Sequence, residues 1–214
     1  QRRDFSINGM FYDPIDQVIH DFVGGQIDIQ QRVIRAIGDA NKRIEEDKLR
    51  MLRAVRFAAR FGFTIHKETS DAIWKHASDI QIVSGERISA EMKKLFETDG
   101  VVEGMQQLRE LGLLKWIWPT VDSAQQSEAI QARSEELLRE VFGNRSFETN
   151  CAALLYASGK VATPSAAERE IDDIKQNWKL ANAECEGMLF AIVHLEEILK
   201  AQTLRWSELQ PLLI

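Results

Sequence analysis

Asp47 and Arg50 stand three residues apart, and of all residues in the chain they have the most specific chemistry open to them. An ionised carboxylate only accepts hydrogen bonds, and a guanidinium only donates them. Side by side on a helix, such a pair offers an acceptor next to a donor. Cytosine and adenine both present an exocyclic amine beside an unprotonated ring nitrogen, which complements the pair. Guanine and uracil present a carbonyl beside a ring N–H, which the pair rejects. An Asp and an Arg at this spacing could read C and A with protein alone, by the hydrogen-bonding logic of base edges.

The element that must position them runs from Glu46 to Phe63 and reads as a single helix, with Gly62 just past its end as a stop signal. At roughly 100° per residue, Arg50, Arg53, Arg56 and Arg60 share one arc. Leu52, Val55, Ala58, Ala59 and Phe61 fill the remainder, with Leu49 and Phe57 as exceptions. Four guanidinium groups on one arc repel one another by a few tenths of a kcal/mol per i,i+4 neighbour, so something anionic is expected to offset them. The bland alternative is a solvated arginine face on an apolar stripe. Asp47, one turn before Arg50, favours the chemical reading.

The charge distribution agrees. The net charge of −6 argues against a uniformly nucleic-acid-binding surface. Residues 32–60 nevertheless carry nine Lys/Arg against four Asp/Glu, a net +5, while residues 1–31 sum to −3. One basic segment in an acidic chain marks a local anion site. No apolar run is long enough to span a bilayer. Cys151 and Cys185 match no metal spacing and read as buried thiols of a reducing compartment, which places the chain in the cytoplasm.

Three segments then carry a resemblance. Glu46-Asp47-Lys48-Leu49-Arg50 resembles the EDxxR motif of the class II tRNA nucleotidyltransferase/poly(A) polymerase family, in which this motif is the amino-acid template for the incoming nucleotide. Arg2-Arg3-Asp4-Phe5-Ser6-Ile7-Asn8 resembles that family's RRDFTxN segment, associated with the nucleotide's sugar and phosphates. Asp21-Phe22-Val23-Gly24-Gly25 resembles its D-x-x-x-G hinge between head and neck. The likeness covers Gln1 to about Ile88 and fades into a generic helical pattern beyond. The family usually has Pro and Phe where this chain has Ala40 and Ile44, which loses the preset φ at the first helical position.

The resemblance implies metal-dependent nucleotidyl transfer from CTP and ATP to the 3′ end of a tRNA or other RNA, gripped through its backbone. It implies nucleotide-binding roles for Asp47 and Arg50 on the base and for Arg3 on the sugar and phosphates, with Asp4 and Asn8 positioning Arg3. Arg53 and Arg56 would serve the phosphates or hold the template pair, and Asp21 and Gly25 would form the hinge. It also implies Mg2+, held in the family by a D-x-D pair in a front half that carries a phosphate loop. Neither feature stands in this sequence. Asp13-x-x-Asp16, beside Pro14, reads as a turn, so no metal ligand and no catalytic residue is assigned. The chain begins inside a motif and is expected to be a fragment, inactive alone. Within the family, CCA addition is the first expectation, with poly(A) polymerase or an A- or CC-adding enzyme as alternatives. An alternative of another class is a non-catalytic helical RNA-binding module.

The expected fold is mainly α: a small β-strand remnant of the nucleotidyltransferase head over residues 1–38, a helical neck over 39–98 and a helical body over 99–214. Arg2 to Tyr12 suits a short helix. Gln17 to Val23 reads as a strand turned by Gly24-Gly25, and Gln31 to Ile37 as a second strand paired with it. Asp39 is a plausible N-cap. No strand is expected beyond Lys67; seven amphipathic helices follow, punctuated by Pro119, Gly143-Asn144 and Thr163-Pro164. His20-Asp21 invites comparison with HD phosphohydrolases, but the other histidines complete no ligand set. Trp74, Trp116, Trp118, Trp178 and Trp206 are expected in packing rather than as stacking platforms.

Overall fold

The computed structural model describes residues 3–141 and 146–200. Arg2, Gly143-Asn144, Trp206 and the apolar end at residues 212–214 lie outside them. The chain divides into two compact units, Gln1–Ile117 and Trp118–Ile214.

The first unit opens with a single 3-10 turn, Ser6–Asn8, and a hairpin of β1 (Phe11–Asp13) and β2 (Val18–His20), in which Tyr12 faces Ile19. The short helix expected from Arg2 to Tyr12 is absent, because tertiary partners claim its backbone. Phe5 bridges Ala36, and the Ser6 N–H donates to the Arg35 carbonyl at 3.0 Å. Helix α1 (Gly25–Gln31) occupies what reads in the sequence as a loop. Its start is fixed by Asp21, whose carboxylate accepts from the N–H groups of Val23, Gly25 and Gln26 at 2.9–3.1 Å. The expected second strand shrinks to β3 (Val33–Ile34). It pairs in parallel with β4 (Thr64–Ile65), not with β2. With α1 between them and Arg32 left-handed at its end, β2 and β3 cannot meet as hairpin neighbours.

Asp39 caps α2 (Ala40–Glu46) as expected, accepting from the Lys42 N–H at 3.2 Å. The helix expected from Glu46 to Phe63 is broken. Asp47 is extended (φ −151°, ψ 104°) and α3 begins only at Arg50, running to Phe61. The break follows from a competing local bond: the Asp47 carboxylate accepts from the Leu49 N–H at 3.2 Å, the habit that keeps Asp out of helix interiors. At the far end Gly62 adopts φ +63°, and the Phe63 N–H returns to the Ala58 carbonyl at 2.9 Å, a Schellman stop.

Met51, Leu52, Ala54, Val55 and Ala58 of α3 are all buried. They pack between α5 (Gly85–Phe96) and α6 (Val101–Glu110), with α4 (Lys67–His76) lying against α2. Gly100 makes the approach of α6 possible: a Cβ there would sit 2.2 Å from the Ala59 carbonyl oxygen. A short helix, α7 (Leu114–Ile117), ends this unit.

The second unit contains α8 (Pro119–Ala124), α9 (Glu128–Glu140), α10 (Phe147–Ala157), α11 (Pro164–Trp178), α12 (Asn182–Val193) and α13 (Leu195–Lys200). Residues 149–155 of α10 are buried on every side, so α10 is its central helix, flanked by α9 and α12. Trp118 and Trp178 meet edge to face at 5.3 Å, the packing role expected of them. Trp116 is half-buried, whereas Trp74 of the first unit departs from the expectation at 69% exposed. Among the described residues no strand follows Lys67, and no helix is long and apolar enough to cross a membrane. The mainly α architecture is as the sequence implies.

Candidate nucleotide-template site

The arginines of α3 do find anions, and the chain supplies them. Asp4, from the N-terminal segment, accepts from Arg50 Nε on Oδ1 and from Arg53 Nη1 on Oδ2, both at 2.8 Å. Glu46, the last residue of α2, takes Arg50 Nη1 at 2.9 Å and Arg43 Nη1 at 2.5 Å. Glu91 of α5, only 5% exposed, takes Arg56 Nε at 2.6 Å and lies 3.5 Å from Arg53 Nε. The result is an alternating ladder, Glu46–Arg50–Asp4–Arg53–Glu91–Arg56. It meets the repulsion that the arc of arginines poses, with partners drawn from three separate segments. Arg60 stays exposed beside the Phe61 ring.

The ladder sets the titration of its members. Burial alone would raise the Asp4 carboxyl; the hydrogen bonds from Arg50 and then Arg53 outweigh it and hold the group below the usual carboxylate range. Glu46 is also lowered, chiefly by its hydrogen bond from Arg50. Asp21 is lowered by the backbone N–H of Gln26 first among its α1 donors.

Asp47 sits at the junction of α2 and α3, and Arg50 opens α3, so the two do not share one helix. A turn joins them, with the Arg50 N–H on the Asp47 carbonyl at 3.1 Å. Arg87 of α5 holds the Asp47 carboxylate through Nη2, at 3.1 Å to Oδ1 and 3.0 Å to Oδ2. Arg50 is held by Asp4, Glu46 and the Arg43 carbonyl. Of the other residues singled out from the sequence, Arg3 has an exposed side chain, and its carbonyl accepts from Arg43 Nη2 at 2.6 Å. Asn8 spends Oδ1 on the Phe5 N–H at 3.2 Å, closing the 3-10 turn behind Asp4. Arg56 is committed to Glu91 and to the face of Phe57. Gly25 admits the Ser6 carbonyl so closely that a Cβ would meet it at 2.3 Å.

Arg87 and Glu91 are the site residues that the sequence reading misses. Glu91 carries a readable signal: it falls on the same face of α5 as Ile88, Met92 and Leu95, and a carboxylate on an apolar stripe needs a buried cation. Arg87 carries none, being one exposed cation among several. His20 stacks on Phe22, and among the described residues no group of three or more His, Cys, Asp or Glu could hold a metal. A cleft of about 330 Å³ lies nearby, lined by Phe22, Arg35, Ile37 and Glu68 among others. None of the ladder residues borders it.

Known proteins resemble this chain. Residues 1–35 match the family model described as "Poly A polymerase head domain", and residues 62–125 match "Probable RNA and SrmB- binding site of polymerase A". Poly(A) polymerase I of Salmonella typhi is 42% identical over 121 residues, 56% of this chain and 26% of that protein. The CCA-adding enzyme of Latilactobacillus sakei is 30% identical over 207 residues, 97% of this chain and 49% of that one. The crystal structure of the Bacillus stearothermophilus CCA-adding enzyme in complex with CTP superposes with a TM-score of 0.72 at 29% identity, covering 97% of this chain and 49% of that one. The chain thus spans between a quarter and half of the length of these relatives. A short segment matching the head-domain model, an arginine-bearing helix and a helical continuation matching the RNA-binding model follow one another in this chain. The chain belongs to the tRNA nucleotidyltransferase/poly(A) polymerase family.

Proposed function

We propose that this chain is the nucleotide-reading and RNA-gripping part of a CCA-adding tRNA nucleotidyltransferase, which extends tRNA 3′ ends from CTP and ATP in the cytoplasm. The observation that carries this reading is what the ion pairs leave over. A guanidinium has five N–H donors. Arg50 spends the one on Nε and those of Nη1 on Asp4, Glu46 and the Arg43 carbonyl, so Nη2 stays outside the ladder. A carboxylate has about four lone-pair sites. Leu49 and Arg87 fill Oδ1 of Asp47 while Oδ2 accepts once, from Arg87. The pair therefore retains an acceptor and a donor, the set that cytosine and adenine complement and guanine and uracil do not.

The neighbouring residues take supporting roles in this reading. Asp4 and Arg53 brace Arg50, and Arg56 braces the helix through Glu91. Arg3 and the partly exposed Arg53 are cations open to sugar and phosphates, with Asn8 closing the turn that follows Arg3 and Asp4. Asp21 and Gly25 form the hinge at the start of α1. The functional division follows as head remnant 1–38, neck 39–98 and RNA-binding body 99–214. Transfer in this family uses Mg2+. The described residues do not fit that ion, since no group of three or more His, Cys, Asp or Glu among them could hold a metal.

A second reading, poly(A) polymerase, is favoured by one observation: the higher identity, 42%, is to a poly(A) polymerase, although over 121 residues only. Primer extension by the full-length protein separates the two. On a tRNA ending before CC, supplied with all four nucleotides, CCA addition gives C, C and A and then stops. Open-ended A-tailing of any RNA 3′ end would favour the second reading. Arg50→Ala is expected to lose the preference for C and A, and unchanged selectivity would refute the template role.

A further inference from the structure

Behind Asp4 lies a second network that the ladder does not use. Ser6 Oγ donates to Asp28 Oδ2 at 2.5 Å, and Asp28, on α1, is 2% exposed. Arg35 Nε bridges both Asp28 oxygens at 3.1 Å, and Arg35 Nη1 lies 2.5 Å from His66 Nε2, at the start of α4. The same residues strap the Asp4 segment to β3. The Ser6 N–H donates to the Arg35 carbonyl at 3.0 Å, and the Ile37 N–H to the Asp4 carbonyl at 3.3 Å.

The chemistry of the His66 contact is constrained. A guanidinium nitrogen has no lone pair to offer, so His66 Nε2 must accept. The ring is then neutral, with its proton on Nδ1, which is buried and without a hydrogen-bond partner. A protonated imidazole would place a second cation against Arg35. The charged groups around His66 do not rescue it. Asp28 is already bonded to Arg35 and Ser6, Lys67 turns to Asp71, and Glu68 lines the same cleft as Arg35.

We infer that His66 is a pH-sensitive catch and a positioning residue for Asp4. Neutral, it fixes Arg35 and through it the Ser6–Asp28 strap; protonated, it expels Arg35 and frees the segment that clamps Arg50 and Arg53. Acidification opposes the catch, because a protonated Nε2 has no lone pair left for Arg35. The catch itself stands on geometry alone. Its consequence for nucleotide binding rests on the template reading proposed above.

The test uses the full-length protein between about pH 8 and pH 5, the range in which imidazoles change charge. Nitrogen-15 spectroscopy of the wild-type ring is expected to show Nδ1 protonated and Nε2 bare at the upper limit. The opposite tautomer there would overturn the catch without any variant. Amide exchange of the peptide containing Ser6, corrected for the intrinsic pH dependence, should lose at least about tenfold protection on acidification, the share of a charge-assisted hydrogen bond. His66→Gln, whose side-chain oxygen can accept from Arg35 but does not titrate, should remove that loss. Equal losses in wild type and His66→Gln would overturn the proposal. CTP affinity measured alongside should weaken with the strap in wild type only. A strap that loosens while CTP affinity holds would support the catch and sink the template reading.

Discussion

Glu91→Gln tests the energetics of the ladder most directly. Glu91 is 5% exposed and its principal partner Arg56 has 11% of its side chain exposed, so the pair is out of water at both ends. An exposed ion pair contributes about 0–1 kcal/mol. Removing one partner of a buried pair costs about 3–5 kcal/mol, because the remaining charge is left uncompensated. Arg53, at 3.5 Å and 31% exposed, and Lys94, at 3.7 Å and 56% exposed, reach water and add little. The amide retains one acceptor for Arg56, which places the loss near the lower limit, about 3 kcal/mol. For one cooperatively unfolding unit of about 150–250 residues that is a fall in the Tm of its transition of roughly 6–12 °C. Chemical and thermal denaturation of the full-length protein would measure it. The double variant Arg56→Met with Glu91→Leu removes both charges and should regain most of the loss, as apolar replacements of buried pairs do. A single-variant shift below about 2 °C, or a double variant no better than the single, would refute the claim that α3 and α5 are joined by a desolvated pair.

Three further outcomes follow from the same geometry. Asp4→Asn should flatten the acid limb of stability: the folded pKa is held below the ordinary carboxylate value of 3.8, so the Asp4 contribution is complete above that value and lost as pH falls below it. Stability curves of the variant and wild type should therefore converge at low pH, and parallel curves would contradict the clamp. Arg87→Ala should relax the preference for C and A over G and U by about tenfold in primer extension, while stability changes by less than about 1 kcal/mol because Arg87 is half exposed. Gly100→Ala should cost about 1–3 kcal/mol in denaturation, since its Cβ would lie 2.2 Å from a backbone oxygen of α3 that cannot yield cheaply.

What the sequence revealed was the part governed by short-range rules. Gly62 announced the end of α3, Asp39 the start of α2, and the arginine arc a demand for anions, because capping and i,i+4 repulsion act within a few residues. The N-terminal segment departs from its sequence pattern where long-range partners decide the backbone. Phe5 through Ser6 looks helical by composition but pairs with residues 35 and 36, and β3 answers to β4 thirty-one residues later rather than to β2. The break at Asp47 was legible in principle, since Asp competes with a helix for its own backbone. The periodicity of the arginines concealed it by suggesting one continuous helix. Most of the ladder was not legible, because Asp4 and Glu91 lie 46 and 35 residues from the arginines they hold.

In the template reading proposed above, the break at Asp47 changes how Asp47 and Arg50 are held relative to each other. On one continuous helix, the separation of Asp47 and Arg50 would be fixed by the helix itself, and every base would meet the same rigid pair. Across a junction it is fixed from two sides. Arg50 is held by Asp4, which belongs to the strap on β3, and Asp47 is held by Arg87, which belongs to α5. Any displacement of the strap against α5 must alter the spacing between donor and acceptor. Two bases that share a hydrogen-bonding pattern but differ in size, one pyrimidine and one purine, require such an adjustment. A junction held from both sides permits it without unwinding α3.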